Sequence, residues 1–149
     1  MNTTTDTVRR VDYGQIQHHT FQRSATTGHD FEKTLQLVRE TLLDADLWIV
    51  HEIDPQMLLK KGGYAIHQTR QILFFHPRYM VRLLGLDPSA LLEAPLKIVV
   101  MADASGKVML RWHDPEALFS KYGVDGLIEL GREFSEIYAA IVARLGASL

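Results

Sequence analysis

The chain has 149 residues, a net charge of −2 and 46% apolar residues, the proportions of one globular domain with its own core. Acidic and basic residues are mixed along it, which argues against the basic stripe of a nucleic-acid binder. There is no cysteine, so disulfides, thiolate nucleophiles and thiolate metal sites are excluded.

The N-terminal MNTTTDTVRR lacks the apolar segment of a secretory signal. No apolar run approaches the ~20 residues needed to cross a bilayer. A cytoplasmic location without membrane contact is therefore expected. Residues 1–12 read as a flexible tail and residues 13–149 as a single domain. Residues 15–23 (QIQHHTFQR) alternate weakly and read as a first strand. Residues 30–45 place Phe31, Leu35, Val38 and Leu42 at helical spacing. LWIVHEI, 47–53, is strand-like in its β-branched and aromatic content. A short helix over 55–61 stops at Gly62-Gly63, and a long strand follows over 64–75. Asp54-Pro55, His76-Pro77, Asp87-Pro88 and Asp114-Pro115 each read as the start of a helix or turn. Proline suits the first helical position, and aspartate before it accepts from free first-turn amides.

Pro77 to Leu84 reads as a helix closed by Gly85. Segments 95–102 and 107–113 flank Asp103-Ala104-Ser105-Gly106, a hairpin by loop length and glycine. A helix begins after Asp114 and ends near Gly123. The last helix, about 125–145, carries Leu127, Leu130, Phe134, Ile137, Ile141 and Leu145 on one face. The order is β-α-β-α-β-α-β-β-α-α. It predicts an α+β fold with a single mixed or antiparallel sheet covered by helices.

These pieces, taken together, resemble the DUF302 family, small bacterial and archaeal α+β domains of unknown function. The likeness runs from about Ile16 to Gly123. It rests on the helix with Phe31 and Leu35, IVHEIDPQMLLKKGG, ILFFHP, LDPSALLEAPLKIVV, the glycine hairpin and HDPEALFSKYG. In the family pattern the ILFF strand often ends in cysteine and asparagine, where this chain has Phe75 and His76. A second cysteine often follows the proline of the LP step, where this chain has Leu96. Thiol chemistry open to relatives is thus closed here. The resemblance implies the fold and a homodimer, and it implies no activity.

Seven histidines make that residue the first candidate for chemistry. Alternation sets Leu47, Ile49, His51 and Ile53 on one strand face, which favours a buried, hydrogen-bonded His51 over a ligand-binding one. His76 precedes a proline and is steered to extended backbone, as a helix cap requires. Its ring beside a helix N-terminus also suits an anionic ligand. His113 precedes Asp114-Pro115 in the same way. His18 and His19 are adjacent on the expected strand and point to opposite faces. A metal set of His51, Glu52, His76 and His113 lacks the spacing of known motifs. A haem held by one such histidine is equally unsupported by spacing. There is no P-loop, GxGxxG or GxSxG, and no catalytic residue is assigned. The small residues Ala139, Ala140 and Ala143 mark a helix face open to close approach. Arg111 and Trp112 read as a surface anchor.

The expected function is a dimeric small-molecule-binding or accessory domain without an identifiable catalytic motif. Its cleft would lie near the ends of strands 47–53 and 64–75, with His51, Arg70 and His76 as polar groups. The alternatives are a histidine-based metal or haem protein, and a structural dimer acting through protein–protein contacts.

Overall fold

Asp30 starts the first long helix by accepting a hydrogen bond from the Lys33 amide at 2.7 Å. The same local device recurs before each of four prolines. Asp54 accepts from the Met57 amide, His76 from Arg78, Asp87 from Ser89, and Asp114 from Glu116 and Ala117. Each side chain satisfies first-turn amides that have no partner within the helix.

The computed structural model describes residues 8–149. In chain order these form β1 (Arg9–Arg10), β2 (Gln22–Thr27), α1 (Phe31–Asp44), β3 (Trp48–Ile53), α2 (Pro55–Lys61), β4 (Tyr64–Ala65) and β5 (Thr69–Phe75). Then come α3 (Pro77–Leu86), a 3-10 helix (Pro88–Glu93), β6 (Leu96–Ala102), β7 (Val108–His113), α4 (Pro115–Ser120) and α5 (Asp125–Leu145). The α+β class is as expected. The main sheet is antiparallel throughout, in the order β2-β7-β6-β5-β3.

Alternation then divides the sheet into two faces. Ile72, Phe74, Ile98, Val100, Leu110 and Trp112 point into the core with Leu35 and Leu42 of α1 and with Leu130, Phe134 and Ile141 of α5. Full burial of each such side chain contributes roughly 1.5–3 kcal/mol before entropy is counted. The opposite face is open. Leu73, Val99, Met101, Met109 and Arg111 are half-buried there, and Lys97 and His113 are exposed. On the helix side α5 comes so close to α4 that a Cβ on Gly131 would meet the Pro115 carbonyl oxygen at 2.8 Å.

Several expectations need correction. The first strand of the main sheet is Gln22–Thr27, not 15–23. Its pairing is fixed by β7, and its inward residues are the small Ala25 and Thr27, which give a weak hydropathy signal. The stretch 64–75 is two strands separated by a bend. Tyr64–Ala65 pairs in parallel with Arg9–Arg10, which lie inside the expected tail. Residues 1–7 of that tail lie outside the described residues. Helix α3 runs through Gly85 to Leu86, because the Asp87 amide still reaches the Leu83 carbonyl. At the far edge of the sheet, Thr26 and Ser148 exchange backbone hydrogen bonds at 2.8 and 2.9 Å.

Candidate functional site

His51, Arg70 and His76 do not meet in one cleft. Arg70 lies near the start of β5 and His76 just past its end, six residues and therefore ~20 Å apart. His51 pairs with Leu73 and shares its face of the sheet, whereas Arg70 shares the face of Ile72. The expected apolar setting of His51 is also corrected. A bulge between Ile49 and His51 shifts the alternation and leaves His51 exposed.

Each of these residues has a local partner or setting. Arg70 lies 3.6 Å from Glu52 and 3.7 Å from Asp54. Glu52 also takes two hydrogen bonds from Arg39, both at 2.7 Å. These bonds hold its carboxyl below the ordinary glutamate range, against the opposing pull of burial. His76 accepts from the Arg78 amide through Nδ1 at 3.0 Å, and its ring meets Trp48 edge-on at 5.3 Å. It therefore caps α3. His113 is three strands away from His51, roughly 14 Å at ordinary strand spacing. Among the described residues no three His, Asp or Glu side chains are grouped to hold a metal ion, so the set His51, Glu52, His76 and His113 does not assemble.

The structure instead opens a cleft inside the sheet. Pairing of β6 with β7 stops at Val99 and Arg111. Beyond that point β6 stays with β5 as far as Leu96, while β7 stays with β2 as far as His113. Asp114 secures the second path. Its amide bonds to the Phe21 carbonyl, and its carboxylate lies 3.1 Å from Arg23. The strands thus part at Lys97 and His113. Tyr138 of α5 fills the base of the gap. Its hydroxyl donates to the Lys97 carbonyl at 3.0 Å, and its ring stacks on Trp112 at 5.2 Å with an interplanar angle of 5°. Burial pushes the Tyr138 phenol far above its ordinary pKa, so it stays a neutral donor. Trp112 is therefore core and not a surface anchor.

Above Tyr138 lies a cleft of about 320 Å³, bordered by Lys97, Arg111, His113, Gln22, Glu93 and Leu92. That volume falls in the range of small-molecule sites, roughly 300–1,000 Å³. Lys97, Arg111 and His113 belong to the open face by alternation. Among the described residues Lys97 and Arg111 form no salt bridge. Arg111 donates to the Gln22 side-chain oxygen at 3.3 Å. The one carboxylate at the rim, Glu93, accepts a very short hydrogen bond from Tyr122, whose phenol is pushed up to about 12. Sequence reasoning missed Lys97 as a site residue. The available signal was a lone cation within the apolar stretch LKIVVMA, two residues before Val99, which faces Arg111 in the hairpin partner.

The family model described as "Domain of unknown function DUF302" matches residues 23–145, most of the chain. The chain belongs to the DUF302 family. A similar solved structure is the uncharacterized conserved protein DUF302 from Bacillus stearothermophilus, at 16% identity and a TM-score of 0.77. The alignment covers 85% of this chain and 99% of that one. No curated protein matches the sequence. At this identity the similarity speaks to the DUF302 fold alone. Among the described residues no helix is long and apolar enough to cross a membrane.

In this DUF302 chain the cleft offers positive charge, with neither an activated nucleophile nor a carboxylate pair among the described residues that line it. An arginine fork can hold a carboxylate or phosphate in a bidentate manner, and a lysine adds a point charge. Arg111 and Lys97 thus supply the kind of charge that can hold and orient an anion.

Proposed function

We propose that this DUF302 domain binds a small anionic molecule, carboxylate- or phosphate-bearing, in the cleft between β6 and β7. Arg111 is the principal contact, with Lys97 and His113 at the rim. The observation that carries this reading is that Lys97 and Arg111 border one cleft and, among the described residues, neither forms a salt bridge. Placing the site here moves it from the strand ends that hold His51 and His76. Thermal shift against small carboxylates and phosphates at low ionic strength tests it. Stabilisation that disappears in Arg111→Gln supports the reading. A flat response, or an equal response in the variant, overturns it.

A homodimer is the second reading, favoured by one surface feature. Trp48 (58% exposed), Val50 (56%) and Val81 (71%) crowd together beside His76 on the β3 edge. Exposed aromatic and aliphatic residues in one patch are typical of contact surfaces. Sedimentation of the wild type against Trp48→Lys tests it, with a dimer that dissociates in the variant as the supporting result.

A further inference from the structure

The cationic cleft continues into a second concavity on the same face of the sheet. Register sets Val99 beside Arg111 and Met101 beside Met109, forming one patch across β6 and β7. Arg111 borders both spaces. The second is a groove of about 520 Å³, floored by Met101 and Met109 and walled by Tyr13 and Ile16 from the segment before β2. Tyr13 is held there, because its hydroxyl accepts from the His67 amide at 3.2 Å. Ile16 is 65% exposed, so its apolar surface has no cover of its own.

Two features point to one kind of occupant. The groove is mostly apolar and ends on an arginine with no carboxylate partner among the described residues. Its floor is methionine, whose unbranched, polarisable side chain adapts to flexible apolar ligands. We infer that the ligand is an amphiphile: its anionic head lies against Arg111, and a flexible, unbranched apolar tail runs over Met101 and Met109 beneath Ile16. This rests on the anion reading above and adds the tail. Continuity at Arg111 carries it, since the methionine-floored groove opens directly from the residue that holds the head.

The test compares acetate with octanoate, using the methyl signals of the methionines in a nuclear magnetic resonance titration. Octanoate should bind at least ~tenfold more tightly than acetate, because each buried methylene adds several-fold in affinity. It should also shift the Met101 and Met109 methyls, which acetate leaves in place. Met109→Gln, similar in length, should erase the advantage of octanoate and keep acetate binding. Ile16→Asn, on the exposed wall, provides the same comparison should the first variant fail to fold. Equal affinity for the two anions overturns the tail while leaving the anion site intact. No binding of either overturns both. A change in oligomeric state of Met109→Gln shows that a second copy occupies the groove, which also overturns the inference.

Discussion

The Tyr138 hydroxyl reaches across the parting of β6 and β7 to the Lys97 carbonyl, doing for that carbonyl what a neighbouring strand would otherwise do. Tyr138→Phe keeps the ring stacked on Trp112 and removes only the donor. The variant should lose about 1 kcal/mol, the net worth of a part-buried hydrogen bond. Urea unfolding should show a lower midpoint at an unchanged slope.

Glu52 links α1 to the sheet through Arg39, and its pKa is lowered chiefly by that hydrogen bond. A depressed carboxyl contributes stability above its unfolded value and loses it as the pH falls through its folded value. Glu52→Gln should therefore be less stable at neutral pH, by roughly 1 kcal/mol because the pair is half-exposed. The gap should narrow below the ordinary glutamate value of 4.5. Chemical unfolding of both proteins across that range checks it, and a gap that ignores pH counts against it.

His76 acts as a cap through Nδ1. His76→Ala should cost about 1 kcal/mol. Asparagine is an equally good cap, so His76→Asn should fold normally and lie within ~0.5 kcal/mol of the wild type. A loss beyond ~2 kcal/mol in the asparagine variant would mean that the ring does more than cap, with its contact to Trp48 the first suspect.

Two glycines on α5 should respond oppositely to alanine. At Gly131 the new Cβ meets backbone, the Pro115 oxygen at 2.8 Å and the Glu116 Cα at 3.2 Å, so α4 must shift. Overpacking of this kind costs about 1–3 kcal/mol. At Gly126 the nearest atoms belong to the Leu86 side chain, which is 39% exposed and free to swing. Gly126→Ala should be neutral or more stable, by up to ~1 kcal/mol of helix propensity. Thermal unfolding of the pair separates the two cases.

Local signals in the sequence carried most of the fold. The caps at Asp54, His76, Asp87 and Asp114 need only the next three residues, so they could be read directly. The stripe of α5 from Leu127 to Leu145 was equally plain, and all its expected members are buried. Pairing between distant strands was not legible. The bulge that exposes His51 depends on how β3 meets β5. The position of β2 depends on β7. The cleft depends on where β6 and β7 separate, a property of four strands at once. Arg111 stood out in the sequence, but its neighbour Lys97 did not, because nothing local says that the ladder ends between them.

The mutual bonds of Thr26 and Ser148 have a practical side. They seal the outer rim of β2 with the final few residues of the chain. Deleting those residues would bare an amide and a carbonyl that are ready to recruit a strand from another molecule, the ordinary route to edge-to-edge aggregation. Variants for the experiments above should keep Ser148 in place, leaving this seal closed.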